Sequence, residues 1–170
     1  MHSSELERFE AAVLPHLSGA YTLARYLTRN EFDANDVVQE ACLRALRYFG
    51  GFRGTEPGDG RAWLLAIVRN TAHTWLRRHR AEAGATEFDE TLHSEAIDEE
   101  HPESDLSRTA LRESLAESLR RLAPEFREVI VLRELEGLSY KEISSVVGVP
   151  VGTVMSRLSR ARKRLQEALR

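Results

Sequence analysis

The chain has 170 residues, 42% of them hydrophobic and 30% charged, with a formal net charge of −3, values typical of a folded, water-soluble protein of one or two small domains. Its apolar runs are much shorter than the roughly 18 residues that cross a bilayer, and no basic stretch followed by an apolar run opens the sequence, so we expect a cytoplasmic protein without membrane insertion. The single cysteine, Cys42, excludes an internal disulfide and argues against a structural zinc site, and we interpret it as a small buried apolar residue.

Helical spacing dominates the first half of the chain. Apolar residues recur at the period of a helix and do not alternate for long as they do in strands, which predicts an all-α protein. Pro15 interrupts a first helix, and a second helix should cover residues 16–29. Asp33 and Asp36 should open a third helix. Its apolar stripe consists of Val37, Val38, Ala41, Cys42, Ala45, Leu46 and Phe49, and its opposite face of Asp36, Gln39, Glu40, Leu43, Arg44 and Arg47.

A glycine-rich loop, GGFRGTEPGDG, separates the third helix from a long fourth helix predicted over residues 61–80. The fourth helix starts with the apolar residues Trp63, Leu64, Ile67 and Val68 and ends with the letters WLRRHR. Because the polarity changes along its length, its last turns should leave the core and present cations to a ligand such as phosphate.

Charge is distributed unevenly along the chain. Residues 81–108 carry one basic against ten acidic side chains, a net charge of −9, whereas residues 1–80 carry +2 and residues 109–170 carry +4. A run of like charge with few large apolar residues cannot repay the entropy lost on ordering. The sequence therefore predicts two small helical domains, 1–80 and 109–170, joined by an acidic flexible linker.

The second domain should consist of three or four helices. One carries Leu111, Leu115, Leu119 and Leu122 on one face, and the next begins at Pro124 and ends at Gly137. Ser139 and Glu142 have the spacing of a capping box, and Gly148 and Pro150 should form the turn into the last helix. A capped helix, a short glycine turn and a second helix form a helix-turn-helix, the arrangement that places a helix in the major groove of DNA.

The last helix carries five cations and no acid between Ser156 and Arg164. Guanidinium groups and short hydroxyls reach base edges, and the N-terminal amides of both helices can hold phosphate together with Ser139 and Lys141. The alternative is an amphipathic helix with a solvated basic face. Val154, Leu158, Ala161 and Leu165 should face inward, which leaves outside Ser156, Arg157, Ser159, Arg160, Arg162, Lys163 and Arg164.

Three segments of the sequence carry a family resemblance. The segment LAPEFREVIVLRELEGLSYKEISSVVGVPVGTVMSRLSRARKRLQEAL resembles the promoter-recognition domain of the ECF (extracytoplasmic function) sigma factors of bacterial RNA polymerase. The segments FDANDVVQEACLRALRYFGGFRG and AWLLAIVRNTAHTWLRR resemble the other conserved domain of that family. The resemblance covers nearly the whole chain except the linker; the loop TEPGDG is its least family-like part.

The resemblance implies partners and site residues. It implies binding to core RNA polymerase and promoter DNA, and a cognate anti-sigma factor that covers these surfaces, so the chain should exist as a monomer or in that complex, without a cofactor. Polymerase docking is implied for Asp36, Gln39, Glu40 and Arg44. Recognition of the −10 element, with a flipped base, is implied for Phe52, Arg53, Arg61, Trp63, Arg69, Asn70, His73, Arg77 and Arg78. Recognition of the −35 element is implied for Ser139, Lys141, Thr153, Ser156, Arg157, Ser159, Arg160, Arg162 and Lys163.

Several interpretations stay open from the residues alone. The polar face of the third helix could be merely solvated, and Trp63 and Trp75 could be core residues. The linker could be a solvated spacer, or it could extend on the polymerase and occupy a basic channel. A dimeric helix-turn-helix regulator would explain the last third of the chain but not the glycine loop and basic tryptophan helix. An enzyme is disfavoured, because the six histidines show no metal-binding spacing and no nucleophile motif appears.

Overall fold

The computed structural model describes residues 3–56, 58–82 and 106–169, and every regular element in these ranges is a helix. The α-helices are α1 (Ser3–Val13), α2 (Leu17–Thr28), α3 (Glu31–Tyr48), α4 (Asp59–Glu82), α5 (Leu106–Arg121), α6 (Pro124–Ile130), α7 (Tyr140–Val147) and α8 (Val151–Ala168). Short 3-10 turns cover Leu14–His16 and Phe49–Gly51, and a π-helical turn covers Val131–Leu135. The all-α prediction is confirmed.

The boundaries in the first half follow local chemistry. Pro15 lies in the 3-10 turn that separates α1 from α2, as predicted. Helix α3 begins two residues before Asp33, earlier than predicted, because the Asn30 side chain accepts hydrogen bonds from the amides of Phe32 (2.9 Å) and Asp33 (3.1 Å) and caps the helix. Helix α4 is longer at both ends than predicted. Its Asp59 carboxylate accepts the amide hydrogens of Thr55 and Glu56, so the first turn of the helix also holds the end of the glycine loop.

The boundaries in the second half agree closely with the sequence. Ser139 and Glu142 form the predicted capping box in both directions. Gly148 ends α7 in the left-handed conformation (φ 74°), and α8 starts directly after Pro150. Most of the predicted acidic linker, residues 83–105, lies outside the described residues, and α5 begins at Leu106, three residues before the predicted domain boundary.

Helices α1–α4 form an N-terminal unit and α5–α8 a C-terminal unit, and the two units pack against each other. Helix α4 contacts α7, and α2 contacts α6. Buried apolar side chains of both units belong to one continuous core that runs from Val13 to Ala161. The two units thus share buried apolar side chains where they meet. Among the described residues, no helix combines the length and the apolar character needed to traverse a lipid bilayer.

Candidate functional site

The helix-turn-helix presents a basic outer face. Helix α8 buries Val154, Leu158 and Ala161 and half-buries Leu165, as its spacing predicted. Ser139 and Lys141 are exposed beside it at the start of α7. The exposed residues of α8 among those predicted to read DNA are Ser156, Ser159, Arg160 and Lys163, while Arg157 and Thr153 are half-buried. This face has the shape and charge that a major groove accepts.

Two cations of α8 have partners within their own unit. Arg162 donates to the Glu134 carboxylate at 2.8 Å, and the guanidinium of Arg164 lies over the ring of Phe126, 4.5 Å from its centroid. Because these two cations already have partners, fewer than five cations of α8 are free to contact DNA. Val151 (39% exposed) and Met155 (52% exposed), which the sequence reasoning missed, stand at the start of α8 and could contact a thymine methyl group. Both residues lie outside the stripe of α8 that was predicted to face inward, and this position could have identified them as exposed.

The polar face of α3 lies in solvent. Asp36 and Gln39 are exposed, and Glu40 and Arg44 form an ion pair at 2.8 Å in which both side chains stay partly accessible. Two large apolar side chains, Phe32 (78% exposed) and Leu43 (66% exposed), are exposed on the same helix. The spacing 32, 36, 39 and 43 places Phe32 and Leu43 on the same side of the helix as Asp36 and Gln39, so this face combines exposed apolar and polar groups.

The glycine loop is anchored by an aromatic cluster. The ring of Phe52 lies 5.5 Å from that of Phe49 and 5.0 Å from that of Trp63, so Phe52 is half-buried in the cluster. Trp63 and Trp75 pack on the core, in agreement with their alternative interpretation as core residues. Arg53 is exposed and donates to the Gly50 carbonyl at 3.2 Å. The loop therefore carries an exposed cation, Arg53, next to a residue that is packed in the aromatic cluster, Phe52.

The residues of α4 predicted to contact the −10 element divide into two groups. Asn70, Arg77 and Arg78 are exposed to solvent. Arg61, Arg69 and His73 are instead paired with acids of the C-terminal unit. Arg61 donates to Glu142 at 3.1 Å, Arg69 donates to Glu128 at 3.0 Å, and the ring of His73 lies 2.9 Å from Glu128.

Glu128 is the centre of this contact and was not recognised in the sequence. Its side chain is fully buried, and it interacts with both Arg69 and His73. Burial alone would raise the pKa of Glu128, but the hydrogen bonds and charges of His73 and Arg69 outweigh burial and hold the pKa below its usual value. The sequence did contain a cue to this buried pair of charges. Arg127 and Glu128 lie inside an otherwise apolar stretch from Phe126 to Leu132, and such a stretch indicates a helix that is buried on all sides.

Arg127 joins the two units at a second point. Its side chain is buried and donates to the carbonyls of Leu119, Arg120 and Leu122 in its own unit and of Tyr26 in the N-terminal unit, at 2.6–3.2 Å. Burial, then the charge of Arg29, lowers the pKa of Arg127 to about 10, so the guanidinium stays charged at neutral pH. Arg29 also donates to the Arg120 carbonyl. Among the described residues, no cluster of histidine, cysteine and acidic side chains is arranged to hold a metal ion.

Comparison with family models gives two matches. Residues 12–82 match Sigma-70 region 2, and residues 112–165 match Sigma-70, region 4. The first match covers most of the N-terminal unit, with the glycine loop, and the second covers most of the C-terminal unit, with the helix-turn-helix.

Three relatives align over most of the chain. The ECF RNA polymerase sigma factor SigE of Mycolicibacterium smegmatis is 34% identical over 95% of the chain, which spans only 61% of that relative's length. The ECF RNA polymerase sigma-E factor of Haemophilus influenzae is 36% identical over 86% of this chain and 79% of its own length. The RNA polymerase sigma-H factor of Pseudomonas aeruginosa is 35% identical over 95% of this chain and 86% of its own.

Two solved structures are similar in fold. The sigma factor RpoE of Bartonella quintana, crystallised with the anti-sigma factor NepR, superposes with a TM-score of 0.76 at 29% identity, covering 96% of this chain and 97% of that one. CnrH, in complex with the cytosolic domain of CnrY, superposes with a TM-score of 0.67 at 29% identity, covering 96% of this chain and 88% of that one.

Proposed function

The chain belongs to the ECF family of RNA polymerase sigma factors, and on this premise we propose that it binds bacterial core RNA polymerase and directs it to promoters. In this role it is a transcription initiation factor that acts in the cytoplasm, and the polymerase supplies the catalysis. The observation that carries the proposal is the presence, in one chain, of a basic helix-turn-helix and of a second unit with an exposed protein-binding face on α3.

The face of α3 is the proposed contact with the polymerase. Asp36, Gln39, Glu40 and Arg44 supply charges that select the partner, and Leu43 supplies apolar area to bury. Complementary charges at an interface mainly guide association and exclude wrong partners, while buried apolar groups contribute most of the affinity. The charged groups and the apolar side chain are both accessible on α3 without any change in the rest of the chain.

The loop and helix α4 are the proposed contact with the melted −10 element. Arg53, Asn70, Arg77 and Arg78 are accessible for the backbone of a single strand, and the aromatic cluster under Phe52 gives the loop a fixed base. Flipping a base out of the stack costs a few kcal/mol, which pocket and backbone contacts can repay. Arg61, Arg69 and His73 belong to the same proposed surface once they are released from Glu142 and Glu128.

Helices α7 and α8 are the proposed reader of the −35 element. The exposed face of α8 would enter the major groove, with Thr153 and Arg157 at its edge, while Ser139 and Lys141 would hold the flanking phosphates. Arg162 would keep its partner Glu134 or exchange it for a phosphate. This unit alone would make sequence-specific contacts to duplex DNA.

An anti-sigma factor is the proposed inhibitory partner. Both structural neighbours were solved as complexes, one with the anti-sigma factor NepR and one with the cytosolic domain of CnrY. This chain shares their fold over almost its whole length, so it offers a comparable surface to such a protein. Its free form would then be a monomer.

The direct test is run-off transcription with purified chain, bacterial core polymerase and a library of genomic promoter fragments. We expect discrete transcripts that require the chain and disappear when core polymerase is supplied alone. Failure to bind core polymerase, together with tight binding to duplex DNA, would instead identify a self-sufficient helix-turn-helix regulator.

A further inference from the structure

Helix α8 is divided into a neutral start and a basic remainder. Its first six residues, VGTVMS, carry no charged side chain, and all of its cations lie from Arg157 onward. In a helix-turn-helix, the N-terminal residues of the second helix are the ones that contact base edges in the major groove. The part of α8 that would meet the bases first is therefore the part without charge.

Two apolar side chains are exposed on this neutral start. Val151 is 39% exposed and Met155 is 52% exposed, whereas Val154 and Leu158 are fully buried and supply the contacts of α8 with the core. Residues four positions apart are neighbours on one side of a helix. Val151 and Met155 thus form a short apolar strip outside the core, which we call the apolar strip.

The apolar strip matches the chemistry of one base. In the major groove, thymine is the base that presents an apolar group, its C5-methyl, whereas guanine is read by the paired donors of arginine or lysine. The first six residues of α8 offer no such donors. The strip therefore complements thymine, and guanine contacts are left to the cations from Arg157 onward.

The hydroxyl of Ser156 points to the same base pair independently. It donates its hydrogen to the Thr153 carbonyl at 3.0 Å, so on the exposed side of the helix it presents only acceptor lone pairs. An acceptor suits the exocyclic amine of adenine or of cytosine. Because adenine is the partner of thymine, an A·T pair satisfies both Met155, through its methyl group, and the adjacent Ser156, through its amine.

We propose that Val151 and Met155 are specificity-determining residues, which contact thymine methyl groups and so select A·T pairs beneath the start of α8. This inference rests on the proposed reading of the −35 duplex by α8, and it adds which base pair the neutral start of the helix prefers. The contact is apolar and direct, and it requires no change in the fold.

The test uses the full chain bound to core polymerase and a promoter duplex recovered by run-off. Each thymine of the −35 region, on either strand, is replaced in turn by deoxyuridine, which lacks only the C5-methyl group. Dissociation constants are measured by fluorescence anisotropy for wild type, Val151→Ala and Met155→Ala, and alanine favours a helix, so both variants should keep α8. Leu169→Ala is the matched control, because Leu169 is a 40% exposed apolar residue about 20 Å from Met155 along the helix axis.

We expect at least one deoxyuridine to weaken binding of the wild type about fourfold, which corresponds to ~0.8 kcal/mol for one buried methyl group. Met155→Ala should bind the unmodified duplex several-fold more weakly, and deoxyuridine at the thymine under Met155 should then cost nothing further. Val151→Ala should behave in the same way at its own thymine. Leu169→Ala should keep both the affinity and the fourfold loss of the wild type.

Three results would overturn the proposal. One is a −35 region without thymine, or one in which no deoxyuridine affects the wild type. Another is an equal loss on deoxyuridine in wild type, Val151→Ala and Met155→Ala, since the methyl group would then act through the shape of the DNA. The third is a Met155→Ala variant that loses binding to core polymerase and keeps its sensitivity to deoxyuridine, because the apolar strip would then contact protein.

These results are distinguishable from a failure of the proposed function. A chain that supports promoter-specific transcription but shows no methyl contact would refute only the role of the apolar strip. A chain that gives no promoter-specific transcripts with core polymerase would refute the sigma-factor role, and the reading of thymine by the strip with it.

Discussion

Single residues divide into those whose role can be read from their neighbours in sequence and those whose role depends on distant partners. The exposure of Arg160 and the capping role of Ser139 follow from helical spacing and from a four-letter pattern, and both were predictable. The pairing of Arg69 with Glu128 spans 59 positions, and no local rule predicts it. Arg69 and His73 were predicted to contact the −10 element, whereas their pairing with Glu128 was not foreseen.

Arg160 is the residue that tests the reading of duplex DNA most simply. Arg160→Ala should weaken binding of the holoenzyme to a promoter duplex by about 1–3 kcal/mol if the guanidinium contacts a base edge. The measurement is a fluorescence anisotropy titration on a promoter recovered by run-off. Arg121→Ala is the control, because Arg121 is a cation of the same unit that is 77% exposed at the end of α5 and lies outside the helix-turn-helix. Equal losses in both variants would argue against a specific role for α8.

The lowered pKa of Glu128 predicts that the free energy of unfolding depends on pH. Because its folded pKa lies below the ordinary value of 4.5, its stabilising contribution is complete above pH 4.5 and is lost as the pH falls through the folded pKa. Wild type should therefore exceed Glu128→Gln in free energy of unfolding by about 1–3 kcal/mol at neutral pH. The difference in free energy of unfolding should shrink as the pH falls below 4.5 and the Glu128 carboxylate becomes protonated.

Urea denaturation at a series of pH values measures this difference, with Glu113→Gln as the exposed reference. A difference between wild type and Glu128→Gln that stays constant down to strong acid would contradict the assigned role of the Glu128 carboxylate.

At the scale of elements, the sequence predicted every α-helix of the described ranges, and the errors lie at the ends. Helix α3 starts early because Asn30, and not an aspartate, caps it. The stretch before Gly137 was expected to be regular, whereas it ends in a π-helical turn in which the Glu136 amide donates to the Val131 carbonyl. Leu111 and Leu115 lie on the predicted apolar stripe of α5 but are 62% and 41% exposed, because only the later leucines reach the core.

The turn of the helix-turn-helix can be tested with two glycines. Gly148 has a φ of 74°, which is unfavourable for a residue with a Cβ, whereas Gly152 lies inside α8; an added Cβ would meet nothing within 4 Å at either position. Gly148→Ala should lose about 1 kcal/mol, roughly 3 °C in Tm, through backbone strain. Gly152→Ala should gain roughly 0.5–1 kcal/mol, because alanine favours a helix.

Thermal unfolding followed by circular dichroism distinguishes the two substitutions. Because neither added methyl group contacts another atom, only the backbone conformation separates them. Equal changes in Tm would mean that the left-handed conformation at Gly148 contributes nothing to the fold of the turn.

At the scale of the whole molecule, the charge pattern predicted two helical units, and the family matches fall on either side of the acidic segment. How the units meet could not be predicted, because it depends on carboxylates and cations up to 81 positions apart in the chain. The contact leaves the α3 and α8 faces open and covers the centre of α4. The molecule is thus arranged with its proposed polymerase surface and its duplex-reading surface on separate elements.

The measurement that tests this division most directly is a titration of core RNA polymerase with two labelled variants of the chain. Asp36→Arg reverses a charge on the exposed face of α3 and should weaken binding to the core at least about tenfold, as expected of a residue central to an interface. Arg160→Ala should bind the core as the wild type does. If both variants bound the core equally well, or lost binding alike, the assignment of polymerase docking to α3 and of duplex reading to α8 would be wrong.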